Sequence, residues 1–299
     1  MKQAIGNVVK KAICWNRIRS LLLIRQHKRI SQLCRGLLSE PEIYRNIVDL
    51  KPKKTFESDH IIWQYWGQGY DSEQLPDVVK ICLDSVDKYA GDAIVVRVSD
   101  KNIGDYITLP GWLEAKKEKF PKANYSDLVR CMLLRVYGGC WLDATVLLSD
   151  EIPTRYWEAD LFVYCRDDLE INKAYWENTF AAYFGWGKGF KVRMLNSIIF
   201  CKRNNQYISE VVDILSYIWK NAEDYPHYFF FQILTEVMIE DGYLRNFHTA
   251  NDCLPHYLQQ FINDPKFNLA SCDEILKMTP IHKLTYKFPE VAVKLRQLI

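Results

Sequence analysis

KANYSDLVRCMLLRVYGGCWLDATV, residues 122–146, carries the strongest structural pattern in this 299-residue chain. Its first half has apolar residues at helical spacing, and Ser126 is placed to cap that helix with its hydroxyl. The pair Gly138–Gly139 predicts the end of the helix, because glycine adopts a positive φ without the steric cost of a Cβ. Cys140–Leu142 then reads as a short buried strand. It delivers Asp143 to the edge of the sheet, where ligands bind in open α/β folds.

Two pairs of polar residues in this stretch have spacings that bring their side chains together. Asp127 and Arg130 are three residues apart, so they share one helix face, and Asp127 is expected near the helix start, where the dipole favours a negative charge. Asp143 and Thr145 are two apart in a segment expected to be extended, so both oxygens point the same way. Hard divalent cations bind oxygen ligands of this kind together with phosphate oxygens. The spacing therefore indicates a site where a cation and a phosphate group meet.

The motif Ser-Asp-x-x-Arg, followed by Tyr-Gly-Gly-x-Trp-Leu-Asp-x-Thr, resembles the core of a known enzyme family. The family is the DXD-type sugar transferases of glycosyltransferase family 32. The bacterial capsular polysaccharide transferases are the most similar members, and the clostridial glucosylating toxins are more distant. The resemblance runs from His60 to Lys287 and is specific around the core. It implies an A-type glycosyltransferase fold, an α/β architecture with a Rossmann-like mixed central sheet flanked by helices. It also implies a nucleotide-sugar donor, with a UDP-sugar expected, and Mn²⁺ or Mg²⁺ as cofactor.

The resemblance assigns roles to particular residues. Asp127 and Arg130 would hold the donor sugar, and Asp143 would be the DXD acid that binds metal and diphosphate. These three are the predicted catalytic residues. Thr145 departs from the family pattern, which has a second carboxylate at that position, and a hydroxyl is a poorer metal ligand. The further predicted residues are Trp63, Gln64, Trp66, Trp141, Asn196 and Lys283 for the nucleotide sugar, and His282, with Asp143 and Thr145, for the metal.

Several of these assignments have a structural alternative. Trp63 lies in a predicted strand and suits the hydrophobic core equally well, and Asn196 suits a local turn. The pair His282–Lys283 is also compatible with an ordinary surface position, and Asp127–Arg130 with a structural salt bridge. The aromatic stretch Tyr175–Trp186 is either a hairpin beside the acceptor site or a lid over the core.

Three functions stay open from the sequence. The first is a metal-dependent glycosyltransferase that builds a bacterial capsular or lipopolysaccharide glycan on a lipid-linked acceptor. The resemblance implies retention at the anomeric carbon. Because no carboxylate in the motifs is an evident nucleophile, front-face attack by the acceptor hydroxyl is the expected route. The second is a toxin-like protein glycosyltransferase. The third is a non-catalytic nucleotide-sugar-binding protein, which the departure at Thr145 favours.

Charge is unevenly distributed along the chain. The formal net charge is +2, but residues 1–39 contain nine bases and no acid, interleaved with apolar residues. Basic amphipathic helices of this kind bind anionic membrane surfaces, and packing against the rest of the chain or another subunit is the main alternative. Charge runs alone are weak signals for nucleic acid, which is not expected as a partner. We therefore divide the chain into a helical extension, 1–55, and a catalytic domain, 56–299.

Cysteine usage indicates the compartment. The nine cysteines are scattered, odd in number and without a C-x-x-C pair, which argues against a disulfide framework or a zinc site and for a reducing cytosol. No convincing signal peptide or membrane-spanning run is present. The expected location is therefore cytoplasmic, with peripheral attachment to the cytoplasmic face of the inner membrane.

Overall fold

The helices and strands follow the predicted alternation along most of the chain. The computed structural model describes residues 2–45, 47–71, 73–288 and 290–298, with side chains described from residue 18 onward. The helices are α1 (Lys2–Leu38), α2 (Pro41–Arg45), α3 (Asp77–Tyr89), α4 (Gly111–Lys116), α5 (Lys122–Tyr137), α6 (Thr154–Glu158), α7 (Lys173–Thr179), α8 (Gln206–Asn221), α9 (Phe230–Glu240), α10 (Tyr257–Asn263), α11 (Cys272–Met278) and α12 (Glu290–Leu298). The strands are β1 (Ile61–Tyr65), β2 (Ile94–Val98), β3 (Gly139–Leu142), β4 (Val146–Leu148), β5 (Leu161–Cys165), β6 (Met194–Cys201), β7 (His248–Asn251) and β8 (Ile281–Lys283).

Within the described residues, six strands form one mixed sheet in the order β2-β1-β3-β6-β5-β7. β1 lies parallel to β2 and β3, whereas β6 runs antiparallel to both β3 and β5, and β7 is parallel to β5. Helix α5 packs on β1 and β3, and α9 packs on β6. This is a mixed central sheet flanked by helices, so the predicted α/β fold class is confirmed.

A separate pair of strands brings a late part of the chain to the loop after β3. β4 and β8 pair antiparallel, with Val146 opposite Lys283 and Leu147 opposite His282. The Leu284 amide donates to the Thr145 carbonyl at 2.9 Å and extends this ladder. Because side chains alternate along a strand, His282 and Lys283 point to opposite faces of β8.

Helix α5 begins earlier than predicted. It starts at Lys122, directly after Pro121, whose φ of −58° and ψ of 138° lead the chain into the helix. A proline is tolerated at this boundary because the first backbone N–H groups of a helix have no intrahelical partner. Ser126 therefore lies in the second turn and is not the cap, and Asp127 lies beyond the first turn, where the dipole acts most strongly.

Gly138 and Gly139 end α5 as predicted, with φ values of 70° and 90°. Space adds a second reason for glycine at both positions. A Cβ on Gly139 would collide with the carbonyl oxygen of Ile61 on β1, and one on Gly138 would collide with the amide nitrogen of Arg203. The pair therefore turns the chain from helix to strand and lets β3 lie directly beside β1.

Helix α1 has two parts with different surroundings. Its second half packs against α9, and Arg35 donates from Nε to Asp241 at 2.8 Å. Residues 18–22 are exposed instead. The packing alternative thus holds for the second half. The side chains of residues 2–17, with four of the nine predicted bases, lie outside the described residues. The α1 residues that join the main hydrophobic core are Ile30, Cys34, Leu37 and Leu38.

Two further sequence features can be compared with the described part of the chain. None of the cysteines described there forms a disulfide. No helix in that part has both the length and the apolar character of a membrane-spanning segment. The division at residue 55 stays a prediction.

Candidate active site

Four charged side chains meet at the carboxyl end of β3. Arg130 donates from Nη1 to Oδ1 of Asp127, and from Nη2 to Oδ1 of Asp143 at 3.0 Å. Lys283 donates from Nζ to Oδ2 of Asp143 at 3.0 Å and to Oγ1 of Thr145 at 2.5 Å. The result is a row of alternating charges, Asp127–Arg130–Asp143–Lys283, which we call the charge row. Its members come from α5, the loop after β3, and β8.

Asp143 is held in place by its backbone as well as by its side chain. Its amide donates to the Ser197 carbonyl at 3.0 Å, which continues the pairing of β3 with β6 by one residue. The Val146 amide donates to the Asp143 carbonyl at 2.8 Å, so residues 143–146 form a turn and not the extended segment that was predicted. Asp143 and Thr145 nevertheless face a common group, because both accept a hydrogen bond from Lys283.

Two other predicted residues support the charge row. Asn196 on β6 donates from Nδ2 to Oδ1 of Asp127 at 2.7 Å. Trp141 donates from Nε1 to Oδ1 of Asp143 at 2.8 Å, and its ring centroid lies 4.8 Å from the Arg130 guanidinium carbon, a cation–π contact. Among the described residues, both hydrogen bonds to Asp127 reach Oδ1, which leaves Oδ2 for a hydroxyl of a ligand.

Burial and charge give the two acids different pKa values. Burial raises the pKa of Asp127 to about 6, despite the lowering effect of Arg130. Burial also opposes charge on Asp143, but Lys283 and Arg130 together outweigh it and hold the pKa of that carboxyl well below its usual range. Asp143 is thus ionised throughout the physiological pH range, whereas Asp127 titrates close to it.

Two cavities adjoin at the charge row and share four wall residues, Ala123, Ser126, Asp143 and Lys283. The first cavity has a volume of about 350 Å³, and the second has a volume of about 360 Å³. Each has the size of a small-molecule site. The first is lined by Asp127, Arg130, Asn196 and the aromatic residues Phe180, Tyr183, Phe184, Tyr228 and Phe229. The second is lined by Tyr65, Trp66, Gly67, Gln68, Asp100, Tyr125 and Tyr286, among others.

Of the residues predicted in and after β1, the cleft contains Trp66 and not its neighbours. Trp66 lies in the second cavity, with its ring edge-on to Tyr286 at a centroid distance of 5.3 Å. Trp63 is fully buried in the core and donates from Nε1 to the Gly138 carbonyl at 3.0 Å. Gln64 is also fully buried. Both belong to β1, a central strand with neighbours on each side, whereas Trp66 follows the end of that strand. The core alternative therefore describes Trp63.

His282 is the other predicted residue that the structure keeps out of the cleft. Its side chain is fully buried and its Nε2 lies 2.9 Å from Oγ of Ser149, on the face of β8 opposite to Lys283. Burial lowers the pKa of His282 to about 4. In the part of the chain described here, no cluster of three or more His, Cys, Asp or Glu side chains is arranged to hold a metal ion.

The groups around Asp143 do not fit a divalent cation as they are arranged. Oδ1 of Asp143 accepts from Arg130 and Trp141, and Oδ2 accepts from Lys283. The Lys283 ammonium also binds Thr145, so a positive charge already joins the two oxygen ligands that were expected for the metal. A metal ion at this position would have to displace that ammonium group.

One wall of the first cavity is built from the aromatic stretch Tyr175–Trp186. It forms part of α7 and then a series of turns, so the hairpin alternative is wrong. Arg166 fastens these turns from beneath. Its buried guanidinium donates to the carbonyls of Gly185 and Tyr183 at 3.2 and 3.0 Å, and to Oδ2 of Asp252 at 2.9 Å. The stretch is therefore a cavity wall anchored by a buried ion pair.

Sequence reasoning missed Arg166, Asp252 and also Asp100. Asp100 lines the second cavity, accepts a hydrogen bond from the Tyr65 hydroxyl, and lies 3.1 Å from Nζ of Lys117. A usable signal existed for Asp100, because it follows a predicted parallel strand, as Asp143 does. No local pattern marks the Arg166–Asp252 pair.

Comparisons with known proteins place this geometry in context. A family model described as capsular polysaccharide synthesis protein matches residues 19–297. The O-glycosyltransferase PaGT of Phomopsis amygdali is 27% identical over 193 residues, which cover 60% of this chain and 43% of that protein. The O-glycosyltransferase braB of Annulohypoxylon truncatum is 26% identical over 183 residues, 58% of this chain and 41% of that protein. The matched region is therefore less than half of either relative. The solved structure of the PaToxG glycosyltransferase has 14% identity and a TM-score of 0.36, and the match covers 75% of this chain and 80% of that one.

Proposed function

The chain belongs to the capsular polysaccharide synthesis protein family, and we propose that it is a glycosyltransferase that adds a sugar from a nucleotide-sugar donor to a growing bacterial surface glycan. The family match confirms the resemblance found in the motifs. The observation that carries the proposal is the charge row at the junction of two cavities. The glycosyltransferase names of both curated relatives agree with it.

The two cavities suit the two ends of a nucleotide sugar, for which we propose a UDP-sugar. The first cavity offers Oδ2 of Asp127, together with Arg130 and Asn196, to sugar hydroxyls. The second offers Trp66 and other aromatic rings to the base. Between them, the Lys283 ammonium is a compact positive charge of the kind that binds phosphate.

The transfer step depends on stabilising the diphosphate as it leaves. The bond from the anomeric carbon to the diphosphate oxygen breaks, and its electron pair stays on that oxygen. The acceptor oxygen bonds to the anomeric carbon, and the acceptor proton passes to the departing diphosphate. In this proposal, Asp127 and Arg130 orient the sugar, and Lys283 stabilises the charge that develops on the diphosphate.

We propose retention of the anomeric configuration. Asp127 and Asp143 are the acids of the charge row, and both are engaged by cations, which makes them poor nucleophiles. The acceptor would therefore attack from the face that the diphosphate leaves. Proton NMR of the product tests this, and an anomer opposite to that of the donor would exclude it.

We also propose a lipid-linked acceptor and attachment to the cytoplasmic face of the inner membrane. The aromatic wall of the first cavity suits a sugar ring, and the bases of residues 1–39 suit anionic lipid. A divalent cation, expected from the resemblance, stays a prediction and has no part in the step above.

An assay of donor hydrolysis across a panel of nucleotide sugars tests the enzyme. We expect slow hydrolysis of one donor, and a loss of about 100-fold or more in Asp143→Asn, since this variant disrupts charges that act in the transition state. Asp84→Asn, on the exposed face of α3, is the matched control and should hydrolyse the donor normally.

The same assay separates the alternatives. Binding of a donor without turnover would indicate a nucleotide-sugar-binding protein. Transfer to a protein side chain, with none to a lipid-linked glycan, would indicate a toxin-like enzyme.

A further inference from the structure

The position of Lys283 concerns how the proposed transfer is catalysed, and the inference drawn from it rests on the proposed function. We infer that the Lys283 ammonium takes the place of the divalent cation, so that this chain transfers sugar without a metal ion. Nζ of Lys283 lies 3.0 Å from Oδ2 of Asp143 and 2.5 Å from Oγ1 of Thr145. These are the two oxygen atoms between which the cation was expected.

The backbone holds the ammonium at this position. Lys283 stands directly opposite Val146 in the ladder of β4 and β8, and the Leu284 amide binds the Thr145 carbonyl on the adjoining residue. The side chain is only 19% exposed, so its charge is partly shielded from water and acts strongly on its neighbours. The lysine is therefore a built part of the cleft.

Thr145 is the second observation that supports the inference. A carboxylate at this position would add a negative charge, as divalent cations require, since they bind best to several anionic oxygens. The Thr145 hydroxyl is neutral, so Asp143 is the acid that remains for a cation, and Arg130 already binds its other oxygen. A single ammonium charge matches this set better than a divalent ion does.

His282 removes the third expected ligand. The strand alternation that points Lys283 into the cleft turns His282 to the opposite face, where it binds Ser149. One ladder therefore supplies the ammonium and withdraws the imidazole from the same site.

In the proposed step, Lys283 binds the diphosphate oxygen that receives the electron pair of the broken glycosidic bond. The acceptor oxygen forms the new bond to the anomeric carbon, and its proton leaves with the diphosphate. No oxidant, reductant or further reactant enters. The ammonium group keeps its proton and its charge throughout the step.

Donor hydrolysis in EDTA and in Mn²⁺ tests the inference. We expect the wild-type rates to agree within about twofold, and Lys283→Met to lose about 100-fold in both buffers, as is typical when one group that stabilises the departing charge is removed. Lys277→Met, an exposed lysine on α11, is the matched control and should keep the wild-type rate. The double variant Thr145→Asp/Lys283→Met restores two carboxylates without the ammonium, and it should regain a rate that depends on Mn²⁺.

Two direct binding measurements do not depend on turnover. Calorimetry with UDP should give the same affinity in EDTA and in Mn²⁺, and electron paramagnetic resonance should show free Mn²⁺ when the wild type and UDP are mixed with it. The double variant should remove free Mn²⁺ from solution. A wild-type protein that binds UDP, or hydrolyses the donor, only with Mn²⁺ would overturn the inference and leave the proposed function standing. No binding of any nucleoside diphosphate in either buffer would overturn both.

Discussion

Asp127 and Asp143 bind the same guanidinium, yet they differ in how readily they give up a proton. Arg130 contacts one oxygen of each acid. Asp143 has a second cation, Lys283, whereas the second partner of Asp127 is the neutral amide of Asn196. One extra charge therefore separates an acid that is always ionised from an acid whose pKa is about 6.

This difference predicts a pH dependence of stability. The folded-state pKa of Asp127 is raised from an ordinary 3.8 to about 6, so the folded protein binds this proton more tightly than the unfolded chain does. The contribution is fully present below pH 4 and is lost as the pH rises through 6, with an order of magnitude of roughly 3 kcal/mol for two pKa units. We expect wild type to lose more stability than Asp127→Asn between pH 4 and 6.5, measured by urea unfolding. Parallel curves for the two proteins would contradict the raised pKa.

Strand alternation explains which predicted residues reach the cleft. β8 sends Lys283 to the cleft and His282 away from it, and the interior position of β1 buries Trp63 and Gln64 on its two faces. Trp66 escapes this rule because it follows the strand. Elements that end at the carboxyl edge of the sheet therefore deliver functional side chains, and positions within the strands deliver core residues.

The ion pair under the aromatic wall of the first cavity predicts a large effect on stability. Both Arg166 and Asp252 have side chains with no exposed surface, so Arg166→Met leaves a buried carboxylate without its partner. The expected loss is about 3–5 kcal/mol in the free energy of unfolding. Arg296→Met is the matched control, because Arg296 pairs with Asp77 at the surface and should cost no more than about 1 kcal/mol. Equal losses in the two variants, by chemical denaturation, would show that the buried pair does not anchor the wall.

At the level of the whole molecule, α1 joins the core with one half and presents the other to its surroundings. Leu37 and Cys34 are buried in the main core, whereas Leu21 and Leu22 are 67% and 57% exposed. The basic extension is therefore not separate from the rest of the fold along its whole length. Its exposed part is the one that suits an anionic surface.

Truncation separates these two roles of α1. A protein lacking residues 1–22 should keep its free energy of unfolding within about 0.5 kcal/mol, since no core contact is removed, but should no longer float with vesicles rich in anionic lipid. A protein lacking residues 1–38 should lose more than about 5 kcal/mol, because several buried apolar side chains are removed at roughly 1.5–3 kcal/mol each. Flotation of the shorter truncation at the wild-type level would exclude the membrane role of the exposed half.

Local features of the fold were predictable because their causes are local. The glycine pair after α5, the buried strand that follows, and Asp143 at its end depend on neighbouring residues and on the conformations that glycine allows. The shared helix face of Asp127 and Arg130 follows in the same way from a spacing of three. The start of α5 was misplaced by four residues because Pro121 directs entry into the helix as effectively as a capping serine does.

The register of β8 against β4 could not be read from the chain, because it joins positions 140 residues apart. That register places the Lys283 ammonium on Asp143 and Thr145, turns His282 away, and so determines which charge a diphosphate meets. Spacing along a chain specifies which side chains share one helix or strand. Which elements lie side by side depends on how the whole core packs, and at this site that packing places a lysine where a metal ion was expected.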